Sequence, residues 1–135
     1  MMWIPSLAFA AEVAGPWQGG DYVDLAVSGA EVHATWLVGK ELFYSRLPAA
    51  GVRVAGGVES GDGGQIRPQL LVVGSEAHLL YTTAEGLFLA DSATGWSPHR
   101  VSPPSARGPL LADFAAGPGG VHVVGLVRSG SATQV

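Results

Sequence analysis

Glu31-Val-His-Ala-Thr-Trp36 returns as Glu76-Ala-His-Leu-Leu-Tyr81 and again as Gly120-Val-His-Val-Val-Gly125, so one unit recurs along the chain about every 45 residues. His33 to His78 is 45 positions and His78 to His122 is 44, while Leu42-Phe43 to Leu87-Phe88 is again 45 and Pro68 to Pro109 is 41. The shorter step has a local cause: the third copy joins its first two strands through Phe114-Ala-Ala-Gly-Pro-Gly-Gly120, where the second uses only Val73-Gly-Ser75. A period of this length with several short strands per unit is that of a propeller blade.

Working outward, apolar and β-branched runs separated by Gly-containing turns divide each unit into four strands. In the first unit these are 22–27, 31–38, 41–46 and 52–58, and in the second 68–73, 76–82, 87–91 and 96–102. The third supplies 109–114 and 121–127, after which 128–135 would have to hold a turn and a third strand. Ala11-Glu-Val-Ala-Gly-Pro-Trp17 is similar to Val52-Arg-Val-Ala-Gly-Gly-Val58 and reads as the outer strand of a preceding blade. No window carries a helical apolar stripe, because Gly or Pro interrupts nearly every stretch. The expected fold is therefore all-β: a partial β-propeller of four-stranded antiparallel blades over 11–135. It comprises the stray outer strand, two full blades at 21–60 and 66–103, and the inner strands of a third at 107–135. Closed propellers have about 4 to 8 blades. The remaining blades of a longer parent chain, or self-association, are expected to close the ring.

Composition narrows the function classes. Twenty Gly and nine Pro with 13% charged residues fit many short strands and tight turns rather than disorder. Seven basic against eleven acidic residues leave a net charge of −4, with Lys40 the only lysine. Nucleic acid is thus not an expected partner, since duplex binding rests on phosphate neutralisation by clustered cations. The chain has no cysteine, which removes disulfides and thiolate chemistry. No run reaches the ~18 apolar residues of a membrane span. Residues 1–10 are apolar and end in Ala8-Phe9-Ala10, a small-x-small pattern. Two readings stand: the truncated remnant of a secretory signal peptide, or a strand of the fold. The first makes the protein secreted or periplasmic.

The second unit runs Arg67-Pro-Gln-Leu-Leu-Val-Val73, Glu76-Ala-His-Leu-Leu-Tyr81, Gly86-Leu-Phe-Leu-Ala-Asp91 and Gly95-Trp-Ser-Pro-His-Arg-Val-Ser102. It resembles the BNR or Asp-box repeats of sialidase-like propellers, a likeness that covers residues ~11 to 135 as a repeat pattern. In that family Ser-x-Asp-x-Gly-x-Thr-Trp forms a turn between the third and fourth strands; its aspartate satisfies backbone donors and its tryptophan packs below. The matching stretch here is Asp91-Ser-Ala-Thr-Gly-Trp96, shortened and without the central Asp, and the first unit retains only Gly51 of it. For a sialidase the resemblance implies three arginines gripping the substrate carboxylate, a tyrosine nucleophile activated by a glutamate, and an aspartate acid/base. Ile66-Arg67-Pro68 is similar to the family's Arg-Ile-Pro motif with the order altered. Arg46, Arg53, Arg100, Arg107 and Arg128 fall on outer strands, a connector or the last hairpin.

Four side chains are ligand-binding candidates. Arg67 stands at the head of an inner strand, Asp24 and Gln69 occupy matching positions on the innermost strands, and Trp96 ends an outer strand as a sugar-stacking platform. Trp17 is a second such ring. No catalytic residue is assigned and no cofactor or metal is expected. The repeated histidines sit on second strands of different blades, where rotation about the axis carries them apart, and neighbouring backbone is expected to satisfy their nitrogens. The resulting expectation is a binding or scaffold module for glycan or protein. The alternative is part of an exo-sialidase or another carbohydrate-active hydrolase.

Overall fold

A computed structural model describes residues 20–61, 66–108, 110–129 and 132–134. The signal remnant read at 1–10, the outer strand read at 11–17 and Trp17 lie outside the described residues. The first sheet is β1 (Gly20–Ser28), β2 (Glu31–Val38), β3 (Glu41–Arg46) and β4 (Val52–Ala55), antiparallel and in sequence order. The second repeats that order with β5 (Gln69–Val73), β6 (Glu76–Thr83), β7 (Gly86–Asp91) and β8 (His99–Arg100). Two hairpins follow, β9 (Ala112–Gly117) with β10 (Gly120–Gly125), and β11 (Val127–Ser129) with β12 (Ala132–Gln134). The described residues are thus all-β and antiparallel, and none of them forms a helix long and apolar enough to cross a membrane. Gly29, Gly39 and Gly74 each open a two-residue hairpin turn with φ near +60° followed by an ordinary residue. That is the combination a II′ turn uses to match the twist of the flanking strands.

The two large sheets pack face to face. Leu37, Leu42 and Tyr44 of the first meet Ala77, Leu79, Tyr81 and Ala90 of the second in one buried cluster, with Val58 between them. Cross-strand pairing is matched in register: Trp36 stands opposite Phe43 and Tyr81 opposite Phe88, with ring centroids 5.8 and 5.9 Å apart. β1 lies beside β5, and β5 beside β9. His33 to Leu37 are consecutively buried, so β2 is covered on both faces. On β1, by contrast, Val23, Leu25 and Val27 are 64, 61 and 70% exposed and form an apolar stripe on the face turned away from the second sheet.

Several strand ends differ from the sequence reading. The outer strand expected at 52–58 stops at Ala55, because Gly56 and Gly57 turn the chain and Val58 crosses to form a bridge with Thr83 of the other sheet. The strand expected at 96–102 shrinks to His99–Arg100, since Trp96 takes φ 70° and Pro98 cannot donate to a ladder. In the third unit Ala115, Ala116 and Gly117, read as connector, belong to the β9 ladder, and the turn is only Pro118-Gly119. The third strand sought in 128–135 is not added to β10, because β11 and β12 pair with each other.

Candidate functional site

Period-2 alternation places Tyr22 and Asp24 on one face of β1, opposite Leu37 and Thr35. Arg67 precedes β5 by two residues, and the adjacency of β1 and β5 brings it to them. The Tyr22 hydroxyl interacts with both the Asp24 carboxylate and the Arg67 guanidinium. Burial raises its pKa above the ordinary value and the Asp24 charge raises it further, against the opposing pull of Arg67. Between a guanidinium that can only donate and a carboxylate that can only accept, the hydroxyl accepts from Arg67 and donates to Asp24. Asp24 also accepts from the Leu25 amide at 2.9 Å. Tyr22 and Arg67 stand 45 positions apart, as do Asp24 and Gln69, so the period itself was the signal that would have added Tyr22 to the candidates.

The structure brings Asp24 and Arg67 together and gives Gln69 a different task. The Gln69 side chain donates to the Ala112 carbonyl at 2.6 Å and fastens β5 to β9, as Ser28 Oγ fastens β1 to the following turn through Gly74 O at 2.6 Å. The crevice between Arg67, Gln69, Thr82 and Leu110 measures about 10 Å³. That is room for one water and not for a sugar ring. A ligand of the Tyr22, Asp24 and Arg67 groups must approach from the exposed side of Arg67.

Trp96 lies elsewhere. It packs against the inter-sheet core, its ring centroid 4.6 Å from that of Tyr44. The turn that delivers it is organised by Asp91, whose carboxylate accepts from the Thr94 amide at 2.9 Å and whose carbonyl accepts from the Trp96 amide at 2.8 Å.

The histidines do not find backbone partners. His33 is fully buried, and its Nδ1 lies 2.6 Å from the Tyr44 hydroxyl. Its Nε2 is 3.4 Å from Glu31, without hydrogen-bond geometry, while the other Glu31 oxygen pairs with Arg46 at 3.0 Å. His78 holds the same register, but Leu89 replaces the tyrosine and Nδ1 is left without a partner. His122 is exposed beside Gly117. Among the described residues no three metal-ligating side chains converge.

Sequence reasoning passed over Arg100. Its guanidinium donates to five carbonyls, Ser102 at 3.1 Å, Glu85 at 2.5 Å, Pro103 and Ala106 at 3.2 Å each and Pro104 at 3.5 Å, while lying 5.8 Å from the Phe88 ring. It thereby closes the connector over the β6–β7 turn. Arg100→Met keeps the stem and removes every donor, and should lower stability by about 2–3 kcal/mol because partly buried carbonyls lose a charged partner. A urea midpoint equal to that of the parent would show that the connector holds without it. No protein-family model, curated protein or solved structure matches the chain.

Proposed function

We propose that this chain is a binding module built as part of a BNR-type, sialidase-like propeller of an exported protein, recognising a hydroxyl-rich ligand such as a glycan through Asp24, Arg67 and Tyr22. Three features support the architecture. Two four-stranded sheets share strand order and register, their first strands lie side by side, and Trp96 packs beneath the Asp91-to-Trp96 turn in the way the Asp-box resemblance implies, with Asp91 accepting from the backbone where the motif's central aspartate is lacking. The exposed Val23, Leu25 and Val27 stripe belongs to the same reading. The corresponding stretch of the second sheet, Leu70 and Val72, is packed against the first, so a preceding blade would cover the stripe in a complete ring.

The observation that carries the ligand reading is the meeting of carboxylate, guanidinium and protonated phenol between β1 and the head of β5. An acceptor and two kinds of donor side by side match the alternating donors and acceptors of sugar hydroxyls. They match hydrolysis poorly, because a sialidase grips its substrate carboxylate with three arginines and Arg67 is the one arginine that meets Tyr22 among the described residues. The expected result is saturable binding of an oligosaccharide on a glycan array, reduced at least tenfold in Arg67→Ala and Asp24→Asn and unchanged in Lys40→Ala, with no turnover of a fluorogenic sialoside. Turnover abolished by Arg67→Ala would replace this reading with the hydrolase.

A further inference from the structure

β1 and β5 begin near Tyr22 and Arg67 and end where Ser28 Oγ meets the Gly74 carbonyl. Beside that far end the two large sheets part into a cleft of about 380 Å³, walled on one side by Tyr44, Arg46, Ala49 and Val52 and on the other by Ser75 and Ser92. The volume is that of a small-molecule site. Alternation and register set the chemistry of the first wall. Glu31 and His33 of β2 and Tyr44 and Arg46 of β3 all point from one face of the sheet, with His33 directly opposite Arg46.

Each polar group of that wall is held from behind. The Glu31 carboxylate grips the Arg46 guanidinium at 3.0 Å, and the fully buried His33 fixes the Tyr44 hydroxyl at 2.6 Å through Nδ1. The loop that carries Ala49 is seated as firmly. Ser45 Oγ donates to the Ala49 carbonyl, the Ala49 amide donates to the Arg46 carbonyl at 3.0 Å, and a β-carbon on Gly51 would run into the Trp36 ring. A cleft whose walls are already ordered loses little conformational freedom when it fills.

The charge of the lining selects the ligand. Arg46 is the one charged residue among the described residues that wall the cleft, and its side chain is 53% exposed, so donors remain beyond the one spent on Glu31. Ser92 Oγ accepts from the Ala77 amide at 3.0 Å, which leaves its own proton to donate. Donors without a lining carboxylate suit an anion. Glu31 limits how much negative charge that anion can carry, because a dianionic phosphate ester would be repelled by it about twice as strongly as a single carboxylate. Ala49, Val52 and the Tyr44 ring offer the remaining surface to hydrocarbon.

We propose that this cleft binds a small organic monocarboxylate, with the carboxylate on the Arg46 guanidinium and the apolar body against Ala49, Val52 and the Tyr44 ring. A planar guanidinium and a carboxylate meet through parallel hydrogen bonds, which fixes orientation as well as charge. The site is separate from the Tyr22, Asp24 and Arg67 groups and does not depend on what they bind.

Benzoate serves as the probe, titrated into the isotopically labelled full chain and followed by the amide chemical shifts. Saturable shifts are expected at Arg46, Ser75 and Ser92. Benzamide, the neutral isostere, should bind at least tenfold more weakly to the unaltered chain, a comparison that needs no variant. Arg46→Met should weaken benzoate at least tenfold, whereas Arg53→Met and Asp24→Asn should leave it unchanged. Absence of saturable shifts, or equal binding of benzamide, would overturn the proposal. So would shifts centred on Arg67 and abolished by Arg67→Met, since the anion would then lie in the Tyr22 cluster.

Discussion

Leu79→Ala is expected to lower the unfolding free energy by about 3–5 kcal/mol, whereas Leu25→Ala should change it by no more than about 0.5 kcal/mol. Both are strand leucines, and the difference lies in what each touches. Leu79 is fully buried where the two large sheets meet, among residues of both. Truncation there removes apolar contacts and leaves a cavity that two paired ladders cannot collapse to fill. Leu25 is 61% exposed on the open face of β1. Urea denaturation of the purified chain measures both, with unchanged slope as the sign that the midpoint shift reports stability. Equal costs at the two sites would mean that the sheets do not share a core.

The features legible in the sequence are those enforced by local chemistry or by the period. Gly29, Gly39 and Gly74 mark hairpin turns because their positive φ is hard for other residues to replace. The cross-strand pairs Trp36 with Phe43 and Tyr81 with Phe88 follow once the turns are placed, since a short loop fixes register. The third unit was harder to read. Ala115-Ala116-Gly117 has no side-chain alternation, so a stretch that pairs regularly with β10 looked like a connector. Contacts between distant segments left no pattern at all. The carbonyls that Arg100 reaches are spread from Glu85 to Ala106, and whether Trp96 faces solvent or Tyr44 depends on how one sheet lies on the other. Of the four ligand candidates, Asp24 and Arg67 meet at Tyr22, Gln69 ties two strands together, and Trp96 packs on the core. Strand position was visible from sequence, whereas the partner across the inter-sheet gap was not.

Gly86→Val should be among the most damaging single substitutions, at about 4 kcal/mol from backbone strain and overpacking together. Gly86 opens β7 opposite Thr83 with φ +140°, a conformation that L side chains rarely adopt. A β-carbon there would also lie 2.5 Å from Ser102 Oγ and 3.0 Å from the Ala106 carbonyl. Neither neighbour is free to retreat. Ser102 Oγ accepts from the Leu87 amide at 3.0 Å, and the Ala106 carbonyl is held by Arg100 at 3.2 Å. Gly74 provides the control, because it also has positive φ but a β-carbon there meets nothing within 4 Å. Gly74→Ala should cost only the conformational share, about 1–2 kcal/mol, and Gly86→Ala about 3 kcal/mol. If the two alanine variants melted alike, the connector would not rest on β7. The same arrangement predicts coupling with Arg100, whose Nη2 lies 3.0 Å from the added carbon. Once Gly86→Ala has displaced the connector, Arg100→Met has less left to break, so the double variant should cost less than the sum of the two singles. Strict additivity would separate the glycine from the arginine and leave each holding the connector independently.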